Sequence, residues 1–533
     1  MTEHHHNVNR SVAQGHSPTA DMTPLMISLT EGHDDSDRLR KRSASAADPR
    51  QCDEGMTESK SFTRPPIFKL VPQVLRFDGS PTDATGLSFD YLARACIVMS
   101  TVFLGPALLD LSTQAAHCPN MQDCDERVYG MKPSSLLTNI AMLSGFLSAI
   151  SMPLMGAVVD HTSYRKQVGS FTAYALSLVK GLETMISIDT WMYVAFCQVL
   201  TGVLYSTHIT VTYAYISELS KDTSEQTKYN SYYFVILYVS ILLFIAEVMF
   251  AATWIGADTV GTAKVSQVLT CVSTTVYFVI GWTTLFTNRP PSTNLEDGQW
   301  LVTAGFVKLW KTSKHISSEL PAMKMLMLSI MCSESALATL VSIATTYMVH
   351  FLAMTSMEVG TAFLLILIMG IPGAKLGEWL ALTVSPRWSA MLALQFFMVT
   401  TAMASWVLHG PDRKQYMNIF GILWGTGLGW LHPQNTTMFI ALTPSHSQTE
   451  YMGIYNFAQS IIGWLPPLVF TVMNEHGVEM NLGLASLNIF FFLALIFLLS
   501  MGSAADVQPR DTAPTMCHPD EVDADLCDLL SAA

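Results

Sequence analysis

A few ionisable and amide side chains sit inside long apolar runs, where chemistry is the first explanation to test. Asp110 and Gln114 follow Gly105-Pro106 near the end of the run at 91–115. Lys180 and Glu183 stand three apart in 167–188, close enough on a helix to neutralise one another. Glu247 lies deep in 231–252 with no base nearby in sequence, and Glu334 is flanked by Ser333 and Ser335. A charged group in hydrocarbon costs about 2.5–3.5 kcal/mol on insertion scales, so each is a pathway candidate. Taken singly, each also fits a helix-end cap or a structural pair. Taken together, several acids with few fixed bases suit proton coupling or the binding of an amine-bearing solute, because burial favours the protonated carboxyl.

The stretch Gly421 to Thr436 is the densest in such groups. It carries four glycines, Trp424, Trp430, His432, Pro433, Gln434 and Asn435. Small residues let helices approach closely. Pro433 removes a backbone hydrogen bond, which predicts a broken helix whose freed carbonyls join Trp430, His432, Gln434 and Asn435 around a solute. A packing kink is the other reading of the same residues.

The elements that position these groups follow from composition. Half of the 533 residues are hydrophobic and only 13% are charged, well below the charge of a soluble domain. Runs near 20 apolar residues match a bilayer core. They fall near 91–115, 135–158, 167–188, 191–216, 231–252, 265–286, 325–350, 359–381, 389–408, 416–441, 452–473 and 481–502. The expected fold is therefore an all-α polytopic membrane protein of about twelve transmembrane helices in two pseudo-symmetric six-helix halves. The expected divisions are a disordered cytosolic tail over 1–86, a first bundle over 87–287 and a linker over 288–324. A second bundle over 325–503 and an acidic cytosolic tail over 504–533 complete them. No cleavable leader is expected, so the first span serves as the insertion signal. In the linker, Lys308, Lys311 and Lys314 alternate with Trp300, Leu301, Phe306 and Trp310, the pattern of an amphipathic helix on the membrane surface.

Basic residues set the orientation. With a cytosolic N-terminus, the inner loops hold Arg165, Lys166, Lys221, Lys228, Arg289, Lys308, Lys311, Lys314, Lys324 and Arg387. The outer loops hold only Arg127, Lys132, Lys264, Arg413 and Lys414. Nine cysteines contain no CxxC pair, so neither a metal site nor a redox motif is expected. Cys118 and Cys124 share the first outer loop; they form a disulfide where that loop faces an oxidising compartment and remain two thiols otherwise.

The loop Gly156-Ala157-Val158-Val159-Asp160-His161-Thr162-Ser163-Tyr164-Arg165-Lys166 lies between the second and third runs. It resembles the signature loop of the major facilitator superfamily, roughly G-x-x-x-D-(x)-x-G-R-[RK], with Ser163 or Tyr164 in place of the second glycine. Gly156, Asp160, Arg165 and Lys166 are accordingly expected to form a conformational gate, joined by Glu218 through an ion pair near Arg165. The matching loop of the second half, Gly373 to Arg387, lacks the aspartate. Tyr91 to Cys96, Tyr213 to Leu219 and the block from Tyr451 through Gly463-Trp464-Leu465-Pro466-Pro467 to Glu475 resemble the autophagy-related vacuole effluxer branch of that superfamily. This resemblance spans roughly 88–503. It implies export of amino acids such as leucine from a vacuolar lumen to the cytosol.

The function expected is a secondary transporter, not an enzyme, with no cofactor and no nucleic-acid partner. No nucleotide-binding loop appears, so a gradient, protons among the candidates, supplies the energy. The partners are a small solute and the lipid bilayer. A sugar or other organic solute is the alternative within transport, and a non-transporting receptor or scaffold is the alternative of another class. The C-terminal Asp525, Leu529 and Leu530 fit the acidic dileucine form that sorting adaptors read. That form points to a vacuolar or other endolysosomal membrane, with the plasma membrane the other location.

Overall fold

In a bilayer the backbone must satisfy its own hydrogen bonds, and a chain of 20-residue apolar runs can do so only as helices. The computed structural model describes residues 65–77, 80–119, 124–216, 218–220, 223–291, 295, 298–443 and 448–502. The sorting motif at Asp525, Leu529 and Leu530 and most of both expected tails lie outside them.

The first half comprises α1 (Thr82–Ala115), α2 (Leu136–His161), α3 (Arg165–Glu183), α4 (Trp191–Ile216), α5 (Thr223–Ile255) and α6 (Thr259–Phe278). A linking helix α7 (Leu301–Glu319) follows. The second half contains α8 (Pro321–Thr346), α9 (Ser356–Thr383), α10 (Pro386–Val407), α11 (Met417–Leu442), α12 (Gln448–Ile461), α13 (Leu465–Glu475), α14 (Met480–Ala485) and α15 (Leu487–Leu499). Apart from one isolated bridge between Val128 and Met131, the described residues contain no β-structure.

Nine helices among the described residues are long and apolar enough to cross a membrane. Three further expected segments are helical but more polar. Helix α3 carries Arg165, Lys166, Lys180 and Glu183, and α11 carries the amide and imidazole groups noted above. The third is divided between α12 and α13 at Gly463-Trp464.

Three expectations are corrected. Residues 65–86 do not all belong to a disordered tail. Pro66–Leu70 and Gln73–Leu75 form 3-10 turns, Phe68 and Val71 are buried, and α1 begins at Thr82. The apolar side chains of that stretch pack on Phe89 and Leu285, which a composition average hides. Helix α11 runs unbroken through Pro433, as α1 does through Pro106. The interruption falls instead in the eleventh run, before Leu465-Pro466-Pro467, where proline suits the first turn of a new helix. Finally, α7 is docked, not simply laid on a surface: Ala304, Gly305, Thr312 and Ile316 are buried.

The glycines of α11 explain its path. A Cβ on Gly429 would come within 1.9 Å of Gly370 O, and one on Gly425 within 2.1 Å of Ile366 O. On α9, a Cβ at Gly373 would meet Thr426 O at 2.1 Å. The two backbones touch, and any side chain would force them apart. We predict that Gly429→Ala lowers stability by about 1–3 kcal/mol through overpacking. Gly453→Ala, where nothing lies within 4 Å of the added Cβ, should be neutral. Thermal unfolding of the two variants in detergent checks the contrast.

Candidate functional site

The deepest polar cluster lies in the first half, on residues the apolar runs did not single out. Asp90 of α1 is fully packed, and its Oδ1 stands 2.7 Å from His208 Nε2 of α4. The indole of Trp282 donates to the same oxygen at 3.1 Å. His208 Nδ1 meets Thr172 Oγ1 of α3 at 2.8 Å. The Thr172 hydroxyl has the carbonyls of Val168 and Gly169 to donate to, which leaves its oxygen free to accept from the ring. Both imidazole nitrogens therefore have a hydrogen-bond partner, which fixes the ring between α1 and α3. Two local features admit Trp282: the π-helical turn Val279–Leu285 aims it, and Gly169 clears its path, since a Cβ there would sit 2.1 Å from the ring.

One turn along α1 from Asp90 is Arg94, also buried. Its Nη1 is 3.9 Å from Asp90 Oδ2 and donates to Thr212 Oγ1 at 3.5 Å. The guanidinium stands 4.4 Å from the Tyr91 ring centre and 5.8 Å from that of Tyr205, within cation–π range. Its Nε has no hydrogen-bond partner among the described residues. A buried guanidinium with donor capacity to spare can take a carboxylate or another planar anion.

The second half answers with an acid. Glu334 of α8 is 3.1 Å from His432 Nδ1 and accepts from Asn435 Nδ2 at 2.8 Å. Next to them Thr436 Oγ1 meets the Tyr455 hydroxyl at 2.8 Å. The first half thus holds a buried basic group and the second half an acidic one. His432 keeps 44% of its side chain accessible.

The remaining candidates divide. On α11, Trp430 turns away to donate to Ser389 of α10 at 2.9 Å, and Gln434 lies against Gly377 of α9. Neither joins Glu334. Lys180 and Glu183 pair at 2.9 Å in full burial, and Glu183 also accepts from Gln198 and Thr201, a closed structural set against α4. Gln114 donates to Asp110 at the outer end of α1, 3.1 Å away, away from the central cluster. Glu247 is exposed and shares a helical face with Leu243, Phe250 and Trp254, all exposed.

Charged chains mark both ends of the first half. At the inner end Arg165 pairs with Glu218 at 2.6 Å, Glu218 reaches Arg289 at 3.6 Å, and Arg289 pairs with Asp83 at 2.6 Å. Lys166 donates to Phe286 O at 2.6 Å. Asp160 pairs with neither loop base; its partner is Lys308 of α7, at 2.8 Å. A Cβ on Gly156 would meet nothing, so this glycine is not demanded by packing. At the outer end the two halves are clasped. Thr138 meets Thr471 at 2.7 Å, and Asn474 donates to Ser134 and Ser135 at 2.8 Å each. Glu475 accepts from Lys132 N at 2.9 Å and pairs with Arg127 at 3.2 Å. The loop leading into this clasp is closed by a Cys118–Cys124 disulfide. There Lys132 also holds the Asp125 carboxyl below its usual range, through a hydrogen bond and its charge.

Helices of bilayer length in two halves, clasped to one another at one end and each holding a buried polar cluster, define a membrane carrier. No group of metal-ligating side chains occurs among the described residues. The chain belongs to the Major Facilitator Superfamily, whose sequence profile matches residues 91–467. No curated protein matches the sequence. Among solved structures, the human organic anion transporter MFSD10 (TETRAN) superposes with a TM-score of 0.55 at 14% identity, covering 78% of this chain and 99% of that one. A point mutant of the nucleoside transporter NupG gives 0.54 at 9% identity, covering 79% and 100%. The inward-open xylose transporter XylE from E. coli gives 0.53 at 12% identity, covering 78% and 94%. At these identities the likeness establishes the fold.

Removing one member of a buried ion pair strands the other charge. Glu218→Gln is therefore predicted to cost about 2–3 kcal/mol, at the low side because Glu218 is partly exposed and Arg165 also donates to Val159 O. Thermal unfolding of the purified variant reads this. Asp160→Asn should slow turnover and leave solute affinity unchanged, because Lys308 and not the solute loses its partner; transport kinetics against equilibrium binding separates the two.

Proposed function

We propose that this carrier moves amino acids by alternating access, in the direction from a vacuolar or lysosome-like lumen to the cytosol. The observation that carries the substrate class is a buried guanidinium in the first half, Arg94, whose Nε has no hydrogen-bond partner among the described residues, together with a carboxylate in the second half, Glu334. A zwitterion presents a carboxylate to the first and an ammonium to the second. The rings of Tyr91 and Tyr205 beside Arg94 suit an apolar side chain. The resemblance of the Tyr451–Glu475 block to vacuolar effluxers supports direction and compartment, as does the dileucine pattern ending in Leu529 and Leu530.

Proton coupling is the proposed energy source. Two carboxylate–imidazole pairs, Asp90–His208 and Glu334–His432, are built to hold or release a proton. We assign coupling to Glu334, because His432 beside it is accessible while His208 is sealed. The pathway role extends to His432 and Asn435, and the inner gate to Asp83, Arg165, Glu218 and Arg289.

A second reading has its own support. The hydroxyl and amide groups of Thr436, Tyr455 and Asn435 would also bind a sugar or another organic solute. The similar structures named above include carriers of a nucleoside, a pentose and organic anions.

Counterflow in proteoliposomes decides between them. Labelled leucine should exchange while xylose and uridine do not; exchange of either of the latter without leucine overturns the amino-acid reading. No exchange of any solute by folded protein would favour a receptor or scaffold. Arg94→Lys should weaken leucine exchange by on the order of 10-fold or more through loss of bidentate recognition. Glu334→Gln should abolish pH dependence without loss of expression; an unchanged pH profile would move coupling to Asp90 and His208.

A further inference from the structure

Glu247 lies within the apolar span Ser231–Ile255 of α5, is exposed, and has neither a hydrogen bond nor an ion pair among the described residues. It precedes Ile255, the end of α5, by eight positions, about 12 Å along the axis. From Ser231 it is sixteen positions away, about 24 Å. Lysine and arginine reach water from such depth on long stems; a glutamate side chain is too short. A carboxyl held at this level needs a polar partner inside the hydrocarbon.

The direction of Glu247 points that partner away from the rest of the bundle. Tyr238, nine positions earlier, donates to Leu367 O of α9. Nine positions are two and a half turns, so Glu247 points to the opposite side of the helix. Phe244 and Val248 turn inward and are buried. On the outward side Leu243, Phe250 and Trp254 are 65%, 74% and 82% accessible. With Glu247 they are spaced four, three and four, the alternation of a coiled-coil seam, and one polar residue in such a seam selects partner and register.

Two copies of this chain in one bilayer share an orientation. A two-fold axis along the membrane normal therefore sets their α5 helices parallel, with each residue at the level of its own equivalent. Glu247 then faces Glu247 of the second copy. A carboxyl that carries its proton both donates and accepts, so such a pair satisfies itself where acyl chains and apolar helices offer nothing.

We infer that the α5 face of Leu243, Glu247, Phe250 and Trp254 is the interface of a parallel homodimer in the membrane, with the two Glu247 carboxyls hydrogen-bonded to each other at its middle. The contact forms whatever solute the carrier moves.

The test extracts full-length protein from its membrane directly into polymer-bounded nanodiscs and weighs the discs one by one. The wild type should appear as discs holding two copies. Glu247→Gln should keep them, because an amide also donates and accepts. Glu247→Leu should lower the ratio of dimer to monomer by on the order of 10-fold. One copy per disc for the wild type, an unchanged ratio for Glu247→Leu, or one copy joined by a different polypeptide overturns the homodimer. Should Glu247→Leu not fold, the surface is read from Phe250→Cys. On copper-catalysed air oxidation it should cross-link between copies well beyond the wild-type level, while Phe171→Cys, exposed on α3, should not. Equal cross-linking of the two variants refutes the surface.

Discussion

A charge inside hydrocarbon must find its partner within the protein, and this rule accounts for most of the internal order of the chain. Lys180 is enclosed with Glu183, Arg94 with Asp90 and the tyrosine rings, and Arg165 with Glu218. Each pair joins or braces elements that apolar contact alone would leave free to slide, because lipid chains solvate a leucine as well as a neighbouring helix does. Apolar packing gives the bundle its cohesion; the polar pairs fix rotation and register.

The halves solve the packing problem differently. In the second, α9 and α11 approach until backbone meets backbone, a contact only glycine allows. In the first, aromatic rings fill the space, with Trp282 stacked on Phe286 and both tied into the cluster around Tyr215. One half is thus joined by close backbone contact and the other by a polar centre wrapped in rings. The clasp between them lies at the outer face, where Asn474 and Glu475 grip the start of α2. Among the described residues, the ion pairs Arg165–Glu218, Arg289–Asp83 and Lys308–Asp160 at the inner face connect the first half to itself and to α7.

Much of the frame was legible in order. Apolar runs of bilayer length predicted the helices, because period and length suffice when the alternative is an unsatisfied backbone. The Arg165–Glu218 and Lys180–Glu183 pairs were legible too, since a base and an acid at matching depth have few other choices. Glu334 with His432 and Asn435 was visible as a set of polar groups in apolar runs, though nothing in sequence said that they would meet.

What remained hidden were the partners far apart in sequence. Asp90 stood one residue ahead of its apolar run, and His208 passed as one polar side chain in a long helix; 118 positions separate them. Asp83 and Arg289 lie still further apart. Nor could sequence tell that Trp430 and Gln434 would turn from the polar region while His432 and Asn435 faced it. Polar and apolar residues occur on every side of α11, so its sequence carries no single stripe to orient it. Composition determined that this chain spans a membrane as helices and which residues would be costly there. Only the packed bundle, through backbone contact at the glycines and the shape of neighbouring rings, decided which of those residues came within reach of one another.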